Sequence, residues 1–196
     1  MTGEKNRFKT TEKLWDLDDK QLKSPKHDAM VLWLMDKNNL LNYNETLGFP
    51  PHFKDWEYIN AKTGEENVEH TFIGLNIESE KPIMSSSTFI AGYADLIVTP
   101  IYSYFREKNI VETEVSNYSC LIEVKPYIDS FGAVLRQVKS YGKFWKRNSR
   151  TKILAIFTLD NRFDAQFESQ GIKVLHPPKD VGIADMMNEF GLSNSW

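Results

Sequence analysis

Hydrophobic and polar positions change period several times along the chain, and each change marks an element. From Ser24, the stretch SPKHDAMVLWLMD sets a serine and a proline ahead of an unbroken apolar run, Ala29 to Met35. Serine as N-cap and proline at the first helical position predict a helix start, and the continuous run predicts burial against a sheet. The pattern fades at Lys37-Asn38-Asn39. Residues 39–68, with Pro50-Pro51 and a Thr63-Gly64 turn, show no clear period and read as loop with a short helix or hairpin. HTFIGLNI (His70 to Ile77) alternates in part and predicts the first core strand. FIAGYADLIV (Phe89 to Val98) predicts a second strand that stops at Thr99-Pro100. A connection from Arg106 to Glu114 is longer than a tight hairpin needs; it either carries both strands outward as an arm or folds back as a cover. SCLIEVK follows, with Cys120, Ile122 and Val124 on one apolar face. Between Ser130 and Arg147, the stripe Phe131, Val134, Val138, Tyr141 and Trp145 predicts an amphipathic helix. KILAIFTL (Lys152 to Leu159) is nearly all apolar, as a central strand covered on both faces should be. A short helix over 162–169, a strand GIKVL and a helix over 181–190 complete one α/β domain spanning 24–196. Residues 1–23 read as a polar N-terminal arm anchored by Leu14, Trp15 and Leu17.

Three short patterns fall on these elements in order: Gly92-x-x-Asp95, Glu123-Val124-Lys125 and Gln137-x-x-x-Tyr141. Glu123 and Lys125 lie two apart, hence on one strand face, inside an otherwise apolar run. Such a pair costs desolvation energy unless something partners it. A metal ion shared with Asp95 satisfies the glutamate, and a phosphate or water occupies the lysine. A structural salt bridge satisfies both equally well. On the helix, Tyr141 lies within the apolar stripe and Gln137 about 80° from its middle, at the rim. By pattern alone, Tyr141 is an ordinary core tyrosine.

The ordered set resembles the PD-(D/E)XK nuclease superfamily, and within it the RecB-type exonuclease branch. That branch is marked by a Gly-x-x-Asp, an acid-x-Lys on the next strand and a Gln-x-x-x-Tyr on the following helix. Asp95, Glu123, Lys125, Gln137 and Tyr141 match these positions, and the resemblance covers roughly residues 24–176. A second Gly-x-x-Asp at Gly182 to Asp185 and a second acid-x-Lys at Asp18 to Lys20 lie outside any strand-like run. The resemblance implies a restriction-endonuclease-like αβββαβ core, with a central mixed β-sheet flanked by helices. It implies hydrolysis of phosphodiester bonds, in DNA rather than RNA, leaving 5′-phosphate ends. Mg²⁺ or Mn²⁺ is the implied cofactor, held by Asp95, Glu123 and the Val124 carbonyl, with Lys125, Gln137 and Tyr141 completing the catalytic set. His27, at the start of the first helix, is either a further metal ligand or a helix-start histidine bonded to backbone or water, and Asp28 is its neighbouring substitute. The alternatives are a nuclease-like protein that binds without cutting, and a site-directed endonuclease of a restriction or transposition system.

Composition refines this picture at two points. The chain has one cysteine, Cys120, so neither an intramolecular disulfide nor the four-cysteine iron–sulfur cluster of several RecB-type relatives is expected. Net charge is −3, unusual for a nucleic-acid enzyme, but it is segregated. Residues 136–152 carry seven basic side chains and no acid, while residues 55–80 carry seven acids and one lysine. A local basic patch suits phosphate binding better than a uniform excess. Arg136 and Arg147 lie closer around the helix to Gln137 than Lys139 and Lys143 do, and are the better candidates for nucleic-acid contact. A plain solvated helix face accounts for the same residues. No apolar run reaches the ~18 residues of a membrane span, and the first residues lack a signal-peptide core, so a cytoplasmic location is the default.

Overall fold

The computed structural model describes residues 24–55, 68–86, 89–106, 109–114, 118–145 and 151–192, without the side chains of 53–55, 68–69, 104–106 and 109–114. The expected arm over 1–23, Arg147 and the turn at Thr63-Gly64 lie outside the described residues. The elements in chain order are α1 (Pro25–Met35), α2 (Lys37–Leu41), α3 (Asn44–Leu47), β1 (His52–Asp55), β2 (Val68–Met84), β3 (Ile90–Arg106), β4 (Asn109–Glu114), β5 (Tyr118–Lys125), α4 (Phe131–Phe144), β6 (Thr151–Thr158), α5 (Asp164–Ser169), β7 (Ile172–Leu175) and α6 (Ile183–Glu189). Seven strands form one mixed sheet in the order β1-β2-β3-β5-β6-β7, with β4 paired to the outer part of β3. Pairing is antiparallel from β1 to β5 and parallel through β5, β6 and β7. The result is an α/β fold in which helices flank a central mixed sheet.

Both sheet faces are covered, which explains why β5 and β6 read as apolar runs. On one face, Ala29, Met30, Trp33 and Leu34 of α1 and Met186 of α6 pack against Leu96, Val98, Cys120, Ile122, Val124, Ala155 and Phe157. Trp33 stacks on Phe157 at 5.7 Å. Cys120 is buried there, and burial pushes its thiol pKa up, so it behaves as a small apolar side chain. On the other face lies α4. Tyr141 and Trp145 pack with Ile83, Ile97 and Leu121, while Val134 and Val138 pack with Ile156, Phe167 and Ile172. Gly142 is what lets α4 settle so low, since a Cβ there would stand 2.8 Å from Leu154 Cδ1. Ser24 caps α1 by accepting from the His27 N–H at 3.3 Å, and Ser130 caps α4 by accepting from the Ala133 N–H at 3.4 Å.

Several boundaries differ from the expectation. The first core strand runs over 68–84 rather than 70–77, and the second does not stop at Thr99-Pro100 but continues to Arg106. Pro100 is tolerated inside β3 because it pairs with Leu75 of β2 where the other edge carries no ladder. Pairing with β5 ends at Val98 there, and pairing with β4 begins at Ile101. The long connection therefore forms an outward arm, with Arg106 paired to Asn109 and Ile101 to Glu114. The stretch read as loop with a short helix or hairpin holds two short helices, α2 from Lys37 and α3, and β1, which pairs antiparallel with β2. Met35 is 37% exposed, so the apolar run of α1 is not buried throughout. The helix expected to reach Arg147 is described only to Phe144, with Trp145 at its C-cap.

One polar group fixes the loops at the end of the sheet nearest Lys125. Asp160, just beyond β6, accepts from the Ile128 N–H at 3.2 Å and from the Arg162 N–H at 3.1 Å and Nε at 2.8 Å. Arg162 in turn donates to the Ile128 carbonyl at 3.1 Å. Hydrogen bonds from the Arg162 guanidinium hold the Asp160 carboxyl well below the usual carboxylate range. A depressed folded-state pKa means stabilisation that is complete above the unfolded value and is lost as pH falls through the folded one. Asp160→Asn should therefore melt below wild type at neutral pH. The gap should begin to narrow only below about pH 4, where unfolded aspartates protonate. Thermal melts of both proteins across pH check this, and a gap independent of pH down to strong acid would contradict it.

Candidate active site

The three sequence patterns meet in one chain of contacts. Antiparallel pairing of Leu96 with Ile122 sets Asp95 and Glu123 one step further along the β3–β5 ladder. Glu123 is fully buried and its Oε1 lies 2.8 Å from the Lys125 Nζ. The Gln137 Nε2 of α4 donates to the same Oε1 at 2.8 Å and to the Tyr141 hydroxyl at 3.0 Å, so both amide protons have acceptors. Tyr141 rests on Gly92, where a Cβ would stand 2.5 Å from the ring Cε1 and hydroxyl oxygen. The Gly-x-x-Asp glycine is thus a packing requirement of the Gln-x-x-x-Tyr tyrosine, and both sit beside the acid-x-Lys pair.

Asp95 is held differently. It is 1% exposed, not a carboxylate at an open strand surface, and its Oδ2 accepts from the Val124 N–H at 2.7 Å. His27 approaches the same oxygen through Nε2 at 3.3 Å, and its Nδ1 lies 3.0 Å from Asp28 Oδ1. His27 is itself buried, at the first turn of α1. The candidate ligand and its proposed substitute are therefore partners of each other.

The donor set suits a hard divalent cation. Two buried carboxylates on adjacent strands, with the Val124 carbonyl between Glu123 and Lys125, offer oxygen ligands, and Mg²⁺ keeps several of its waters in such sites. Among the described residues, no three His, Cys, Asp or Glu side chains converge as a ligand cluster. A cation here would rest on two carboxylates and a carbonyl, with His27 bracing Asp95. Lys125 is 24% exposed while Glu123 is closed off, which puts the ammonium at the mouth of the site.

Arg136 and Lys143 are exposed, with Lys143 over the Phe144 ring at 5.3 Å. The Lys139 ammonium is turned to the Gln170 carbonyl beside β7. Two groups escaped the sequence reading: the Asp160–Arg162 latch, and His176, whose Nδ1 meets the Thr158 carbonyl at 2.8 Å and Nε2 meets Asp164 Oδ2 at 2.9 Å. Thr158 is the ladder partner of Lys125, so both act on the strand ends that carry the site. An Asp-x-Arg directly after the central strand was the available signal for the latch.

The contact between Gly92 and Tyr141 yields a direct test. Gly92→Ala should destabilise the fold by about 1–3 kcal/mol, the usual cost of overpacking. Paired with Tyr141→Ala, the same substitution should cost less by the share due to the clash, leaving the strain of a side chain at φ +159°. Chemical denaturation of the four proteins of this cycle measures the coupling, and additive effects would contradict it.

Comparison with protein-family models, with curated proteins and with solved structures finds no match to this chain.

Proposed function

We propose that the protein is a nuclease dependent on Mg²⁺ or Mn²⁺ that hydrolyses phosphodiester bonds of DNA and leaves 5′-phosphate ends. The observation carrying this reading is the unbroken contact chain Gly92–Tyr141–Gln137–Glu123–Lys125, with Asp95 on the neighbouring strand. Three sequence patterns separated by tens of residues converge on one buried carboxylate. The element order α1, β2, β3, β5, α4, β6, with β5 parallel to β6, supports reading the fold as the restriction-endonuclease-like αβββαβ core.

Asp95, Glu123 and the Val124 carbonyl would hold the cation, which when bound activates water and neutralises charge on the phosphate. Lys125, at the mouth of the site, stabilises the negative charge that grows on the phosphate oxygens as water attacks and the 3′-oxygen leaves. Gln137 fixes the rotamer of Glu123, and Tyr141 fixes Gln137. The Val124 N–H and His27 fix Asp95.

A second reading draws on the 2.8 Å contact between Lys125 and Glu123, which by itself is also a structural salt bridge. Isothermal calorimetry with Mn²⁺, together with incubation of end-labelled linear and circular DNA with Mg²⁺, Mn²⁺ or EDTA, separates the two. The nuclease reading expects Mn²⁺ binding and EDTA-sensitive cleavage. Asp95→Asn should remove both while keeping an acceptor for the Val124 N–H.

Lys125→Met should cut the cleavage rate by on the order of 10² or more while leaving metal binding within a few fold of wild type. Because Glu123 is fully buried, the same substitution lowers stability under either reading, and adding Glu123→Gln should restore much of it. Full cleavage by a folded Lys125→Met protein would overturn the mechanism. On the basic helix, Arg136→Ala should flatten the salt dependence of DNA binding by about one unit of slope. Lys139→Ala, whose ammonium is already engaged, should change it less; the reverse order would place the docking face elsewhere.

A further inference from the structure

Immediately past Lys125, the chain presents an aromatic side chain that the site described above does not use. Tyr127 is 54% exposed, one of five large hydrophobic side chains exposed among the described residues. Its flanks are fixed. Pro126 restricts the backbone before it, and Ile128 after it is 1% exposed, with its N–H bound by Asp160 and its carbonyl bound by Arg162. From the first turn of α1, the Lys26 ammonium lies 5.5 Å from the Tyr127 ring centroid. An exposed ring on a pinned segment, with a cation against it, two residues from Lys125, is built to hold a flat partner next to a negative one.

We propose that Tyr127 is a stacking platform for an unpaired base adjacent to the scissile phosphate, and that Lys26 pairs with a neighbouring phosphate. This rests on the nuclease reading and adds a substrate class to it: the strand engaged at the site is single-stranded, or frayed at an end. In an intact duplex both faces of an internal base are covered by its neighbours, so a protein ring meets a base face only where pairing and stacking have been given up. Stacking tolerates any base, so the platform predicts grip without sequence preference.

The test uses a single-stranded oligodeoxynucleotide carrying 2-aminopurine and a blunt duplex of the same sequence, with EDTA and separately with Ca²⁺. Anisotropy reads binding and 2-aminopurine emission reads stacking. Wild type should bind the single strand with quenched emission. Tyr127→Ala should weaken that binding by on the order of tenfold or more and abolish the quenching, with unchanged melting temperature and unchanged duplex binding. Tyr127→Phe and Tyr127→Trp should keep both signals. If Tyr127→Ala binds and quenches like wild type, the platform is wrong, while metal-dependent cleavage and its loss in Lys125→Met still uphold the nuclease reading. If Tyr127→Phe fails as Tyr127→Ala does, the hydroxyl rather than the ring makes the contact, and stacking is overturned. If wild type binds neither DNA, this proposal and the nuclease reading fall together.

Discussion

A carboxylate with no exposure to solvent, Glu123, governs the arrangement of the elements around it. In a low-dielectric interior, such a group is tolerated only if charge and hydrogen bonds reach it. Lys125 supplies the charge from the same strand, and Gln137 supplies a hydrogen bond from α4. That second requirement fixes α4 in both height and rotation. The helix must approach closely, which Gly142 permits against Leu154, and it must turn Gln137 towards β5. Tyr141, one turn on, then falls over β3, where only a glycine leaves room. The demands of one buried charge thus propagate through three elements.

Asp95 is satisfied by other means, and the contrast bears on function. Its partners are a backbone N–H, which cannot move without breaking the ladder, and a histidine on a helix start that Ser24 caps. Glu123 meets two side chains instead, Lys125 from its own strand and Gln137 from α4. On the proposed reading this asymmetry is useful. One carboxylate is a fixed reference, while the other can exchange an ammonium for a cation without disturbing the sheet. The ammonium so released lies at the open side of the site, where a phosphate arrives.

Much of this was legible in the sequence, because strand and helix periods report burial directly. The shared face of Glu123 and Lys125 followed from alternation, and the buried stripe of α4 from helical spacing. What was not legible depended on partners distant in sequence. Pro100 looked like a strand end because nothing local shows that one edge of β3 is unpaired at that point. Lys139 is exposed, as on a solvated face, but the Gln170 carbonyl that engages its ammonium lies beyond another strand and helix. Gly182-x-x-Asp185 copies the pattern of Gly92-x-x-Asp95, yet it is a helix start in which the Gly182 N–H donates to the Asp185 carboxylate at 2.8 Å. A three-residue spacing carries chemistry only through the element beneath it.

The latch at Asp160 shows how the site combines a dry interior with an accessible rim. Lys125 closes β5, and beyond it the chain must turn within a few residues to reach the Ser130 cap of α4. Left to itself, such a turn is mobile and would blur the position of whatever it carries. Asp160 and Arg162 bind both backbone groups of Ile128, and the buried Ile128 side chain adds an apolar anchor below. Exposure therefore rises along the segment, from Glu123 through Lys125 to Tyr127, without a corresponding release of the backbone. On the proposed reading, the groups that would meet a large, charged polymer are placed outward on a rigid base. The groups that would hold a small cation are placed inward, where the same field acts most strongly.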